Sequence, residues 1–164
     1  MRLIDQELRI SGRRLPHWQA GASTYFVTFT SHINLDPSSR QIVCDCIRKG
    51  EVEHFNLFIG CVMPDHAHLL LFPREVEPGK WRSLSHVMKG LKGASSRAVN
   101  KGLGRKGSLW QDESFDRIIR NAAEYRGAWN YIWQNPIEAG LANHPEEYPF
   151  LLFPSEDSAK HILG

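Results

Sequence analysis

The chain lacks the features of a membrane protein or a disulfide scaffold. No apolar run approaches the roughly 18 residues that a membrane-spanning helix needs. Residues 1–14 are mostly polar and charged, with no apolar stretch of signal type. Cysteine is scarce: Cys44, Cys46 and Cys61 are an odd number with no C-x-x-C spacing. That argues against a disulfide framework or a structural zinc cluster and leads to the expectation of a reduced, cytoplasmic chain without a membrane partner. Internal repeats are missing, and so are the glycine-aromatic motifs of RNA-recognition sheets.

What is present suits one domain. The 164 residues are 41% hydrophobic and include five tryptophans, enough for a substantial core. A net charge of +2 conceals an asymmetry. Residues 80–126 hold eleven lysines and arginines against four acids, whereas residues 136–164 hold five acids against one lysine. A basic middle third points to a polyanion such as nucleic acid, although a solvated helix face produces the same pattern. The expected organisation is a single domain over 1–141, with a basic arm at 1–20 and an acidic tail at 142–164.

Local patterns predict the elements. Thr24-Tyr25-Phe26-Val27-Thr28-Phe29 is β-branched and aromatic, the signature of a strand. Asp36-Pro37 caps and opens a helix with Ile42, Val43, Cys46 and Ile47 at helical spacing, stopping at Gly50. His54 to Val62 and His66 to Phe72 read as strands joined by the turn Met63-Pro64-Asp65, hence an antiparallel hairpin. Pro73 to Lys80 reads as a polar loop. Ser83 to Asn100 reads as a helix with Leu84, Val87, Met88 and Leu91 as its buried stripe, followed by a mobile basic loop from Gly102 to Gly107. A shorter strand is expected around Phe115–Ile119, then a helix capped by Asn121 and ended near Gln134 by Asn135-Pro136. The order β-α-β-β-α-β-α predicts an α+β, ferredoxin-like four-stranded antiparallel sheet with helices on one face and the third strand central.

His66 and His68 carry the chemistry. Residues i and i+2 of a strand point to one face, so both imidazoles can close on one metal ion. Alone, His-x-His equally describes two half-exposed histidines at a strand end. Tyr131 and Asn135, at i and i+4, share a helix face. The phenol can attack phosphorus and the amide oxygen can coordinate a cation. Each also has an ordinary structural reading, a packed aromatic for Tyr131 and a helix-end cap for Asn135.

Five ordered blocks make the set specific. They are Arg14-Leu15-Pro16-His17-Trp18, Thr24 to Phe29, Met63-Pro64-Asp65-His66-Ala67-His68-Leu69-Leu70, Leu109 to Arg120, and Tyr131-Ile132-x-x-Asn135-Pro136-x-x-Ala139-Gly140-Leu141. In these blocks the chain resembles the REP-associated tyrosine transposases, a branch of the one-tyrosine HUH single-strand DNA transposases. The resemblance implies that His66, His68 and Asn135 are metal ligands and that Tyr131 is the nucleophile. Ala67 departs from the family, which usually has a larger apolar residue there; it removes no ligand.

It further implies metal-dependent nicking and rejoining of single-stranded DNA at REP-like hairpins through a 5′-phosphotyrosine intermediate. The mixed nitrogen and oxygen ligands suit Mg²⁺ or Mn²⁺, with Mn²⁺ favoured by imidazole; zinc would bind such a set too, so the ligands alone do not choose. Single-stranded DNA hairpins and a second copy of the chain, as a homodimer, are the implied partners, with a nucleoid-associated location. Candidate DNA contacts are Arg14, His17, Lys89, Lys92, Arg97, Lys101, Arg105, Lys106 and Trp110. The competing expectation is a hairpin DNA- or RNA-binding module on the same fold without catalysis. A water-using metal phosphohydrolase, which would leave no DNA attached to protein, is a third.

Overall fold

The computed structural model describes residues 23–163. Strand β1 (Thr24–Ser31) leads to helix α1 (Pro37–Glu53), then to the hairpin of β2 (Phe55–Val62) and β3 (His66–Pro73). A small hairpin, β4 (Glu75–Glu77) with β5 (Lys80–Trp81), occupies the expected polar loop. Helix α2 (Leu84–Leu103), strand β6 (Trp110–Ile119) and helix α3 (Ala122–Glu138) follow. The chain closes with a 3-10 turn (Pro145–Glu147), strand β7 (Leu151–Leu152) and helix α4 (Glu156–Leu163).

The main sheet has the order β6-β1-β3-β2-β7, and every pairing in it is antiparallel. The first four positions are the ferredoxin-like arrangement, and β3 is central, as expected. Strand β2 is buried at all eight positions, lying between β3 and β7 and reading as a near-continuous apolar run. Gly60 leaves room for the Leu69 side chain, whose Cδ2 would fall 2.8 Å from a Cβ at that position.

Alternation sorts the side chains into two faces. Cross-strand partners Thr28 and His68, and Phe26 and Leu70, share one face; Val27 and Leu69, and Phe29 and Ala67, share the other. Helix α2 covers the second face: Met88 and Lys92 line a cleft with Tyr25 and Val27, and the buried stripe is Val87, Met88, Leu91, Ser95 and Val99. Helix α1 packs beside α2, with Ile42 approaching Gly102. Helix α3 crosses the opposite face, where Tyr131 meets Phe26 and His68. Helices therefore cover both faces, which corrects the expectation of one.

The caps are as read: Asp36 accepts from the Ser39 amide at 2.7 Å and Asn121 from the Glu124 amide at 2.9 Å. Two stops differ. Helix α1 runs past Gly50 to Glu53. Helix α3 runs through Pro136 to Glu138, because a proline so near the end forfeits one amide bond and its fixed φ is already helical. The Ala139 and Leu141 amides still bond the Asn135 and Pro136 carbonyls. Strand β6 starts at Trp110, five residues before the expected core of that strand at Phe115.

The division at residue 141 is also corrected. Tyr148, Phe150, Leu151, Leu152 and Ile162 are buried in the same core as β2 and β3. Polar ties reinforce them: Ser155 N donates to buried Glu51 at 2.8 Å, Leu57 N donates to Ser158 Oγ at 3.2 Å, and Arg74 pairs with Asp157 at 2.8 Å. The acidic segment is the fifth strand and a packed helix of the domain, its charges facing water.

Candidate active site

His66 and His68 leave the start of β3 on the face that α3 crosses, their ring centroids 4.6 Å apart. His68 is buried, at 4% exposure, and Thr28 of the neighbouring strand places Oγ1 2.7 Å from its Nδ1. His66 Nδ1 lies 2.6 Å from Asp65 Oδ1. In both rings an oxygen engages Nδ1, the arrangement that orients an imidazole for coordination through Nε2. Burial first, and the neighbouring His66 second, push His68 down to about 3, so its ring is neutral at physiological pH.

Helix α3 brings the other two residues. The Tyr131 ring stands 5.2 Å from that of His68 and 5.8 Å from that of Phe26, both edge-on. It is 48% exposed, so the side chain is only partly covered by these rings. Asn135, one turn further along α3, is half-buried. His68 Nε2 and Asn135 Oδ1 are both buried atoms without a hydrogen-bond partner among the described residues. Buried polar atoms are nearly always satisfied, so a nitrogen and an oxygen left open beside a candidate nucleophile fit a bound cation. Two imidazole nitrogens and one amide oxygen are neutral donors of the kind a divalent cation accepts. Ala67 is wholly buried, on the opposite face from the histidines.

Residues 28–135, well over half of the chain, match the family described as Transposase IS200 like. The chain belongs to the IS200-like transposase family. The matched span opens at Thr28 and closes at Asn135, enclosing the whole constellation. Among the chain's curated relatives is the REP-associated tyrosine transposase of Escherichia coli (strain K12), 24% identical over 102 residues. That alignment takes in 60% of this chain and 54% of the relative, so the chain matches about half of that protein's length. A solved structure of a REP-associated tyrosine transposase bound to a REP hairpin has the same fold, with a TM-score of 0.66 at 23% identity, covering 92% of this chain and 85% of the other.

The expected DNA contacts divide. Lys89, Arg97, Lys101 and Lys106 are exposed along α2 and the loop after it. Lys92 is committed elsewhere: its ammonium donates to Gln111 O at 2.7 Å, Asp112 O at 3.2 Å and Ser114 Oγ at 3.1 Å, fastening α2 to β6. Burial pulls its pKa down, against the pull of Asp112. Arg105 bonds Asn100 Oδ1 at 3.0 Å and the Ser108 carbonyl, bracing a loop expected to be mobile. Trp110 is a core residue, 2% exposed, its indole donating to Ser95 Oγ at 2.9 Å and its ring against Phe29. That corrects its assignment as a base contact, because a buried ring has no free face. Arg14 and His17 lie outside the described residues. Thr28 and Asp65 are the site residues that sequence reasoning missed. The signal for Thr28 was its place in an alternating strand, which carries no register until the pairing is known.

Among the described residues no helix is long and apolar enough to cross a membrane.

Proposed function

We propose that this chain nicks and rejoins single-stranded DNA at REP-like hairpins through a 5′-phosphotyrosine on Tyr131. The observation that carries the reading is the half-exposed Tyr131 ring against His68, whose buried Nε2 has no partner among the described residues. Family membership and a solved relative bound to a REP hairpin support the substrate class.

Tyr131 Oη attacks the scissile phosphorus, an O–P bond forms, and the bond to the 3′ oxygen breaks. The phenol proton leaves to water, and the 3′ oxygen leaves protonated as a free hydroxyl. The phosphodiester energy is kept in the protein link, so a 3′-hydroxyl can attack it and restore a strand without a nucleotide cofactor. When bound by His66, His68 and Asn135, Mg²⁺ or Mn²⁺ supplies Lewis-acid polarisation and charge neutralisation at the phosphate. Thr28 and Asp65 fix the tautomers that turn each Nε2 toward that ligand. Phe26 holds the Tyr131 ring edge-on, which limits the directions from which its oxygen can approach. Lys89, Arg97, Lys101 and Lys106 hold backbone phosphates, a contribution that is largely blind to sequence.

The test is a labelled single-stranded hairpin oligonucleotide incubated with protein and Mn²⁺, then run on a denaturing protein gel. A labelled protein band that disappears with Tyr131→Phe is expected. Cleaved DNA without an adduct in both proteins would indicate a water-using phosphohydrolase, and tight binding without cleavage a non-catalytic binder.

A further inference from the structure

We propose that Phe115 and Arg117 of β6 hold the DNA strand beside Tyr131, Phe115 by stacking on a base and Arg117 by gripping a phosphate. This rests on the single-strand reading above and names the residues that position that strand.

Phe115 is a large apolar side chain at 59% exposure, on the face that carries the candidate site. The register puts Phe115, Thr28 and His68 in one row across β6, β1 and β3, and Arg117, Phe26 and Leu70 in the next. Neighbouring strands lie about 4.8 Å apart, so Phe115 is roughly 10 Å from His68, within a few nucleotides of a phosphate held there. Phe26 is the shared floor. Its ring centroid is 5.6 Å from that of His68, 5.8 Å from Tyr131 and 6.5 Å from Phe115, and the Arg117 guanidinium lies over it at 5.4 Å.

The chemistry of this patch matches one occupant. An exposed aromatic face accepts any base, and stacking tolerates sequence. A guanidinium lying over a ring keeps its N–H edge free for two phosphate oxygens. Asp116, between the two, points to the other face, where it lines the cleft with Tyr25 and Val27. The acid therefore does not face the proposed strand. Among the described residues β6 pairs only with β1, so its outer edge lies open beside the patch.

The experiment measures equilibrium binding of a fluorescent single-stranded oligonucleotide to the Tyr131→Phe chain without metal, so that cleavage plays no part. Phe115→Ala should weaken binding about tenfold, and Phe115→Trp should restore it. Arg117→Ala should lower the slope of log affinity against log salt by about 0.7, and in both variants the thermal midpoint should stay with the parent because Phe115 and Arg117 are exposed. Parent-like affinity and slope in both variants would overturn the proposal, while an adduct formed by the native protein would leave the nicking reading standing. A change of sedimentation rather than DNA affinity on Phe115→Ala would assign the patch to a second protein copy instead. No binding by the parent at all would overturn both readings.

Discussion

Thr28 Oγ1 and His68 Nδ1 lie 2.7 Å apart across neighbouring strands, and this bond governs which nitrogen of the ring faces the candidate site. With Thr28 accepting, the proton sits on Nδ1 and Nε2 keeps its lone pair. The same logic applies to His66, whose Nδ1 meets Asp65. On the proposed reading, oxygen partners on both rings place the choice of coordinating nitrogen in residues outside the His-x-His motif.

Thr28→Val keeps the shape of the side chain and removes the acceptor. The expected result is a 10- to 100-fold loss of Mn²⁺ affinity, measured by calorimetric titration, with Thr28→Ser restoring it. Unchanged affinity would show that the His68 tautomer is fixed by something else.

The basic residues should separate by experiment. Neutralising Lys101 or Lys106, both exposed, should flatten the salt dependence of hairpin binding, lowering its slope by about 0.9 for each phosphate no longer neutralised. Lys92→Ala should leave that slope nearly unchanged and instead loosen the join of α2 to β6, costing about 1–3 kcal/mol in denaturant unfolding. Equal effects of the three on the salt slope would contradict this division.

Strand positions and helix faces are legible in the sequence because periodicity states them directly. The alternation of Tyr25, Val27 and Phe29 locates β1, and the i, i+4 spacing of Tyr131 and Asn135 locates their shared face. The role of Trp110 is not legible, since an indole serves a core and a DNA surface equally well until its N–H partner is known. The closing segment reads as an acidic tail because its acids dominate the charge count. The run Phe150-Leu151-Leu152-Phe153 inside it is the available signal for a buried strand. Phe115 and Arg117 escape a sequence reading because register, which no single strand contains, is what puts them level with His68 and Phe26.

The closing segment yields its own prediction. The Tyr148 hydroxyl donates to the Val62 carbonyl at 2.6 Å, and burial pushes its pKa up to about 12. A phenol with a folded pKa above its unfolded value, about 10, contributes stability in full below that value. The contribution is lost as pH rises from about 10 toward 12. Tyr148→Phe should cost about 1–2 kcal/mol near neutrality, and the gap between variant and native protein should shrink across that alkaline range. A gap independent of pH would contradict the buried bond.

Because Tyr131 lies against His68 of its own chain, each copy holds a complete constellation. Mixing His68→Ala with Tyr131→Phe should therefore leave adduct formation absent on a gel. Recovery of adduct in the mixture would show that the tyrosine of one copy serves the histidines of another.

The central claim is that Tyr131 becomes covalently linked to DNA, and mass spectrometry of the digested reaction tests it most directly. After incubation with the hairpin oligonucleotide and Mn²⁺, the peptide containing Tyr131 should carry a nucleotide mass that is absent when His68 is replaced by alanine. Nucleotide attached to a different residue, or cleaved DNA with no modified peptide, would contradict the account.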